Sequence, residues 1–220
     1  TSTDAKYNGL NPPDVSATNI DNDDAGVAVS PYEGLYTTEA GGTATFTMKL
    51  TSKPTANVSI TLVSLNTNEG VVSPSTVPFT PDNWNTNQTI TVTGMNDDVD
   101  DDNVAYTIQT QPCISSDPKY DELNPVDVSL TNIDNDNAGY ILSQQNITYS
   151  ESDSPVSVTY RLSSKPTANV SFNLESQNTS KGTASPASLT FTSGNWNVEQ
   201  VVTITPVNNY VVDGDATFAI

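Results

Sequence analysis

The chain lacks histidine altogether, and it contains one arginine, Arg161, and one cysteine, Cys113. Without histidine it has neither the commonest general base, nor the Ser-His and Cys-His pairs of nucleophilic enzymes, nor a His-ligated zinc or iron site. The single cysteine excludes an intrachain disulfide and with it a Cys-rich secreted scaffold. The sequence therefore argues against an enzyme and predicts that packing or bound ions stabilise the fold.

Basic residues and long apolar runs are scarce as well. Seven Lys and Arg stand against 26 Asp and Glu, which gives a formal net charge of −19. This charge excludes nucleic acid as a partner and disfavours an anionic membrane surface. No apolar run approaches the ~20 residues that span a bilayer. The sequence begins at Thr1 with neither an initiator Met nor a signal-peptide pattern, so we expect a mature or excised segment.

The most informative feature that is present is an internal repeat. The eight residues Ser52–Ser59 return unchanged as Ser164–Ser171, an offset of 112 residues. Segment Leu10–Asp23 returns in closely similar form as Leu123–Asp136, an offset of 113 residues. Repetition at a fixed period is the signature of tandem modules.

Apolar and polar side chains alternate within each repeat. Ala44, Phe46, Met48 and Leu50 face one side of a predicted strand, with Thr and Lys between them. The same period of two occurs at Val58, Ile60, Leu62; Ile90, Val92; Val104, Tyr106, Ile108; Val128, Leu130; Val156, Val158, Tyr160, Leu162; Val170, Phe172, Leu174; and Val202, Ile204. Roughly seven short strands in ~110 residues predict an all-β fold of tandem immunoglobulin-like antiparallel β-sandwiches.

The phase of the repeat divides the chain into three predicted parts. Residues 26–137 form a complete β-sandwich repeat, and residues 138–220 form a second repeat without its closing strand. Residues 1–25 contain a closing strand, Asp14–Ala17, and a linker that belong to a preceding or neighbouring-subunit repeat. One interpretation is an excerpt of a longer array. The other is a head-to-tail assembly, in which this strand completes the open sandwich of the next subunit.

Acidic residues cluster at places that recur with the repeat. The clusters are the linkers Asp21–Asp24 and Asp134–Asn137, the loops Asn96–Asn103 and Asn208–Asp215, and the single glutamates Glu39 and Glu151. Calcium takes six to eight oxygen ligands, so such clusters predict a calcium site. Asp-Asn-Asp also forms Asx turns without metal. Calcium is favoured because close carboxylates repel one another by about 1 kcal/mol per pair even in water.

The order of these motifs resembles that of Calx-beta domains, the calcium-binding sandwiches of sodium/calcium exchangers and of many microbial surface proteins. The resemblance covers nearly the whole chain. It rests on the linker followed by Ala25-Gly26 or Ala138-Gly139, the glutamate in Thr37–Gly42, the stretches Gly70–Phe79 and Gly182–Phe191, and an acidic loop that leads to Tyr106 or Phe218. The Asn-Trp-Asn and Leu-Asn-Pro motifs look more like repeats of large bacterial surface proteins.

The resemblance implies a set of calcium ligands. In the complete module these are Glu39, Asp97, Asp98, Asp101, Asp134 and Asp136; the corresponding acidic residues elsewhere are Asp21, Asp23, Glu151, Asp213 and Asp215. Asn96 departs from the family, which more often has Asp there, and no acidic residue lies between Gly70 and Phe79, where the exchanger domains place another ligand. Asn208, Asn209 and Tyr210 replace most acids of the second loop. The resemblance thus implies one or two ions per module, the second weaker or lost.

Three further features have local interpretations. Trp84 and Trp196 share a repeat position and are predicted to pack in the core or a turn, although on an exposed flat face they would be sugar-stacking platforms. Cys113 is predicted to be a small turn residue, although as an exposed thiol it could link chains. Sequons occur at Asn57, Asn87, Asn146, Asn169 and Asn178, and their glycosylation depends on the host.

Together these features predict an extracellular or cell-surface structural module, part of a stalk, filament or adhesin that calcium stiffens at the joints between sandwiches. The expected partners are neighbouring repeats or identical subunits head-to-tail, and surface glycans or proteins. The alternative is a carbohydrate-binding accessory module of a secreted protein. A glycosidase-type carboxylate pair needs only Asp and Glu, but near-duplicate modules with degenerating acidic loops are more typical of metal or spacer sites.

Overall fold

The computed structural model describes residues 1–220, which form strands, turns and loops only. No helix is long and apolar enough to cross a membrane. The strands are β1 (Val27–Ser30), β2 (Leu35–Thr38), β3 (Thr43–Leu50), β4 (Val58–Ser64), β5 (Gly70–Ser73), β6 (Thr76–Phe79), β7 (Gln88–Gly94), β8 (Val104–Thr110), β9 (Ile114–Ser115), β10 (Val128–Ile133), β11 (Tyr140–Leu142), β12 (Val156–Leu162), β13 (Val170–Asn173), β14 (Gly182–Ser185), β15 (Ser188–Phe191) and β16 (Gln200–Pro206).

Strands β1 to β10 form a sandwich of two sheets. One sheet has the order β1-β3-β7-β5, and the other has the order β2-β10-β8-β4-β6, with β9 also paired to β4. All pairs are antiparallel except β10 and β2, which run parallel with Leu130 opposite Leu35. The predicted all-β fold of sandwich modules is confirmed, and this one parallel pair is an addition to it.

The core of the first sandwich lies between its two sheets. On β3 the apolar side chains Ala44, Phe46, Met48 and Leu50 are at most 8% exposed, and the neighbouring Ile90 on β7 is fully buried. The apolar residues of the period-two pattern therefore form the inward face of the strand. Burial of each large aliphatic or aromatic side chain stabilises a fold by about 1.5–3 kcal/mol, so these strands hold the sandwich closed.

The second sandwich repeats part of this plan. Its sheets have the orders β11-β12-β16-β14 and β13-β15, and its core contains Val158, Leu162, Leu189, Phe191, Val202 and Ile204. Residues 216–220 follow the course of β8, because Gln177 N donates to Ala219 O at 2.9 Å as Leu65 N does to Thr107 O at 2.9 Å. A groove of about 1380 Å³ lies beside these residues, and Tyr149, Lys181 and Phe218 are among its lining residues.

Residues 1–24 are exposed throughout and form no strand. Val15 is 93% exposed, whereas Val128, which follows an Asp in the same sequence context, is fully buried in β10. Segment 14–20 reads Asp-Val-Ser-Ala-Thr-Asn-Ile, and segment 127–133 differs from it only by Leu in place of Ala. The chain thus carries two copies of one strand sequence, and only the second is packed in a sheet.

The joint between the sandwiches involves the acidic loop 96–103, which connects β7 to β8. The backbone N–H of Lys165 donates to the carbonyl oxygen of Asp98 at 2.6 Å. The backbone N–H of Ala138 donates to Oδ2 of Asp100 at 2.7 Å. The loop of the first sandwich therefore contacts both the start and the body of the second.

Two local expectations are settled by burial. Trp84 and Trp196 are half-buried and pack against the cores of their sandwiches. Cys113 lies between β8 and β9 and is only 2% exposed. The tryptophans are therefore packing residues, and the cysteine is a small core residue at a turn, not an exposed thiol.

Candidate metal centre

Three carboxylates meet where β2 and β10 end. Glu39 follows β2, and Asp134 and Asp136 follow β10; their carboxylate oxygens lie within 4.8 Å of one another. The two strands are parallel neighbours, so their C-terminal ends fall on the same edge of the sheet. The backbone N–H of Glu39 donates to Ile133 O at 3.1 Å, which extends the pairing up to the site.

A second group of three carboxylates lies beside the first. Glu69 directly precedes β5, and Asp97 and Asp101 belong to the loop between β7 and β8; their carboxylate oxygens also lie within 4.8 Å of one another. The backbone N–H of Asp101 donates to Oδ2 of Asp134 at 3.1 Å and so connects the two groups. Six carboxylates thus gather at one end of the first sandwich, beside the joint.

The amide side chain of Asn132 is buried between the two groups. Its Nδ2 donates to Glu69 Oε2 at 3.2 Å and to Met95 O at 3.0 Å. Its Oδ1 accepts a hydrogen bond of 2.9 Å from Thr37 Oγ1. Because Asn132 is on β10 and Glu69 precedes β5, this side chain ties the closing strand to the opposite sheet and fixes the orientation of Glu69.

The carboxylates of the site are poorly stabilised as anions. Burial, and after it the charges of Asp134 and Asp97, raise the pKa of Glu39 to about 7 in spite of a hydrogen bond from the Asn135 N–H that lowers it. Burial also raises the pKa values of Glu69, Asp101 and Asp136 above their ordinary values. The pKa of Asp134 is lowered, chiefly by the backbone N–H of Asp136, which donates to it at 2.7 Å.

No basic side chain compensates these six carboxylates. The two ion pairs of the structure both involve Lys181 in the second sandwich. Glu39 and Glu69 are only 4% and 6% exposed, and a buried anion without a partner is costly. The ligand set is made of oxygen atoms alone, which suits a hard divalent cation such as calcium and offers nothing to a softer metal.

The residues implied by the sequence have different places in the structure. Those brought into the two groups are Glu39, Asp97, Asp101, Asp134 and Asp136. Asp98 is outside both groups, although its charge contributes to the raised pKa of Asp136. Asp21 and Asp23 lie in the exposed segment before the first sandwich, where the Asp23 N–H donates to Asp21 Oδ1 at 3.1 Å in an Asx turn.

Glu69 is a site residue that the sequence argument missed. Glu69 lies one position before the stretch Gly70–Phe79, and it supplies a carboxylate at this edge of the sheet. Gly70 itself has no room for a side chain, because a Cβ there would overlap the Tyr106 hydroxyl. The position of Glu69 directly before Gly70 is the one sequence signal, and that signal alone does not distinguish Glu69 from a solvated turn residue.

The equivalent place in the second sandwich contains a lysine. Lys181 Nζ lies 2.8 Å from Glu151 Oε1 and 2.6 Å from Asp213 Oδ1. Hydrogen bonds to Asp213 and Glu151, in that order, raise the pKa of Lys181. Asp215 is exposed and makes no side-chain hydrogen bond to this cluster. The predicted residues Glu151 and Asp213 therefore meet, but around an ammonium group.

No family model and no curated protein matches this sequence. Among solved structures, CBD12 from CALX1.2 is similar over 87% of this chain and 77% of its own, at 13% identity and a TM-score of 0.39. The calcium binding domain CBD12 of CALX1.1 is similar over 80% and 74%, at 15% identity and a TM-score of 0.41. The YadV chaperone is similar over 83% and 86%, at 9% identity and a TM-score of 0.37.

The strand order and the carboxylate groups define the class of the molecule. It is an all-β protein with two sandwiches in tandem and an oxygen-rich candidate cation site at the end of the first.

Proposed function

We propose that this chain is an extracellular structural module in which calcium binds at the end of the first sandwich and stiffens the joint to the second. The observation that carries the proposal is the convergence of six carboxylates, two of them on the buried residues Glu39 and Glu69, with no basic partner. The sequence motifs that resemble Calx-beta domains support the same ion. Extracellular modules bind calcium with dissociation constants of about 10⁻⁴–10⁻³ M.

The loop 96–103 links ion binding to the joint. It provides Asp97 and Asp101 to the carboxylate groups, while Asp98 O and Asp100 Oδ2 accept hydrogen bonds from the second sandwich. A cation bound by Asp97 and Asp101 would fix the loop. It would therefore also fix the contacts that Asp98 and Asp100 make with the second sandwich. Without the cation, repulsion between carboxylates whose oxygens lie within 4.8 Å of one another opposes this arrangement.

The test is calorimetric melting in calcium and in a chelator. A ligand at a hundred times its dissociation constant stabilises the folded state by about 2.7 kcal/mol, which for a chain of this size raises Tm by roughly 5 to 11 °C. Glu69→Gln should reduce this rise, and Glu33→Gln, a change at an exposed glutamate outside the site, should leave it intact. Equal Tm values with and without calcium would contradict the proposal.

A head-to-tail contact is a second part of this function, and we propose that segment 14–20 of one copy completes the second sandwich of another. The specific observation is the buried hydroxyl of Tyr149 in the groove, which has no hydrogen-bond partner. The Tyr106 hydroxyl has the same place beside a glycine in the first sandwich, and it is hydrogen-bonded to Thr37, the partner of Asn132 in β10. Asn19 corresponds to Asn132 in the exposed segment.

Sedimentation velocity over a range of concentrations tests the head-to-tail contact. By correspondence with β10, Val15 would face the core and Ser16 would face solvent, since Val128 is buried and Ser129 is exposed. Val15→Asp should therefore abolish association, whereas Ser16→Asp, with the same added charge on the opposite face, should preserve it. A chain that stays monomeric at all concentrations, or an oligomer that survives Val15→Asp, would contradict the contact.

The proposal assigns no catalytic activity to the chain, since the two carboxylate sites differ in composition while the sandwiches that hold them are similar. Trp84 and Trp196 pack against the cores, so no observation favours the carbohydrate-binding alternative. The partners that fit the proposal are neighbouring repeats or further copies of the chain.

A further inference from the structure

Glu69 and Lys181 are equivalent residues of the two sandwiches. Each follows an asparagine by three positions and donates its backbone N–H to that asparagine's carbonyl, at 3.2 Å for Glu69 and 3.0 Å for Lys181. The backbone carbonyls of Glu69 and Lys181 themselves accept from the residue that follows the long central strand: Met95 N donates to Glu69 O at 3.0 Å, and Val207 N donates to Lys181 O at 3.1 Å. The two side chains therefore start from the same point of the same fold with opposite charge.

The ammonium group of Lys181 bridges the counterparts of two first-sandwich carboxylates. Glu151, which contacts Nζ at 2.8 Å, is the counterpart of Glu39. Asp213, which contacts Nζ at 2.6 Å, is the counterpart of Asp101. The lysine side chain is 12% exposed, and the side chains of Glu151 and Asp213 are 34% and 36% exposed. The ammonium group therefore lies between two acidic groups that line the groove.

The rest of the cluster has changed together with the lysine. Asn209 replaces Asp97, and its Nδ2 donates to the other oxygen of Asp213, Oδ2, at 2.8 Å. Where the first sandwich has Glu69, Asp97 and Asp101 with three negative charges, the second has a lysine, an amide and one carboxylate. Every donor and acceptor named here is satisfied within the chain, so the set does not fit a divalent cation.

We propose that the Lys181 ammonium group is the resident cation of the second sandwich and takes the place that calcium takes in the first. A divalent ion at this position would have to displace a positive charge held by two carboxylates at under 3 Å. The two sandwiches then differ in regulation. The acidic site of the first depends on calcium, and that of the second is neutralised by the charge of a lysine side chain. The calcium half of this statement rests on the proposed function, and the lysine half does not.

Restoring the first-sandwich residues is the decisive experiment. The double variant K181E/N209D should bind at least one more calcium ion per chain than the wild type in equilibrium dialysis. Lys119→Glu carries the same charge change as K181E at an exposed lysine whose backbone N–H donates to Asp117, outside both acidic clusters, and it should bind no additional ion. A double variant with unchanged stoichiometry would overturn the proposal.

Hydrogen–deuterium exchange reports each sandwich separately. In the wild type, calcium should slow exchange in peptides from β3 and β7 at least tenfold and leave peptides from β12 and β16 unchanged. In K181E/N209D, calcium should slow the β12 and β16 peptides as well. Equal protection of both sandwiches by calcium in the wild type would overturn the proposal.

A calcium-free measurement separates this proposal from the proposed function. Lys181→Met keeps the length of the side chain and removes its charge, so in chelator it should speed exchange of β12 and β16 several-fold, and added calcium should not reverse the effect. If the wild type binds no calcium at all, the proposed function fails while this outcome still supports the resident lysine. Unchanged exchange in Lys181→Met would refute the lysine's role.

Discussion

Thr37 Oγ1 on β2 donates a hydrogen bond of 2.9 Å to Asn132 Oδ1 on β10, and both side chains are at most 1% exposed. The same amide group donates to Glu69 Oε2 and to Met95 O. One buried side chain therefore connects both edges of the sandwich that carry the acidic groups. Its removal should affect the stability of the whole first sandwich.

Asn132→Ala is expected to lower the free energy of unfolding by about 2–4 kcal/mol, because it leaves buried partners unsatisfied, each at a cost of about 1–3 kcal/mol. Urea denaturation measures the effect. Asn85→Ala, at an exposed residue of the turn before β7, is the matched control and should change stability by less than about 0.5 kcal/mol. Similar midpoints for the two variants would show that the buried amide does not hold the edges together.

A glycine at the end of β7 gives an independent test of the same region. A Cβ on Gly94 would overlap the backbone oxygen of Thr38 and lie 2.6 Å from Asn132 Oδ1. Gly94→Ala should therefore destabilise the protein by about 1–3 kcal/mol through overpacking. Gly194→Ala is the control, since its nearest atom would be Thr192 Oγ1 at 3.8 Å, and thermal melts should separate the two variants by several degrees.

The sequence predicted the strands better than it predicted the site. The period of two in residues 43–50 is a local pattern, and the side chains that it placed inward are buried. The meeting of Glu39 with Asp134 depends on the parallel pairing of β2 with β10, which joins residues 95 positions apart. No local pattern contains that pairing; the motif resemblance supplied these residues instead.

Glu69 and Lys181 show why the remainder could not be predicted. Both occur in turns rich in Asn, Thr and Ser, where a charged residue is ordinarily solvated. Only the fold shows that the turn before β5, and its counterpart before β14, delivers its side chain to the acidic edge. The matching backbone hydrogen bonds of the two sandwiches show that Glu69 and Lys181 occupy the same repeat position. Their opposite charges therefore distinguish the two sites.

Cys113 should be chemically inert in the folded protein. Burial raises the pKa of its thiol to about 11, and the side chain is 2% exposed. At neutral pH the thiol is therefore protonated and is shielded from reagents in solution. Ellman's reagent should react with less than a tenth of the thiol over the time in which guanidinium-unfolded protein reacts fully. Rapid labelling of native protein, or disulfide-linked dimers in air, would contradict this expectation.

Glu39 should make the stability of the calcium-free protein fall as pH rises. Its pKa is 4.5 as an ordinary glutamate and about 7 in the fold, so between these pH values the folded state holds a proton that the unfolded state has lost. Stability is then highest near and below pH 4.5 and decreases through pH 7, by up to about 3 kcal/mol for this group. The raised pKa values of Glu69 and Asp136 act in the same direction.

Calcium should reverse this slope, because the cation binds ionised carboxylates and competes with their protons. Urea midpoints at pH 5, 6, 7 and 8 in calcium-depleted buffer should decrease with pH, and the same series in millimolar calcium should increase. Glu39→Gln removes the group with the largest printed shift and should reduce the slope of the calcium-free series, whereas Glu33→Gln should not alter it. A calcium-free stability that rises from pH 5 to pH 7 would show that Glu39 is ionised in the fold, and the case for a cation-dependent site would then lose its electrostatic basis.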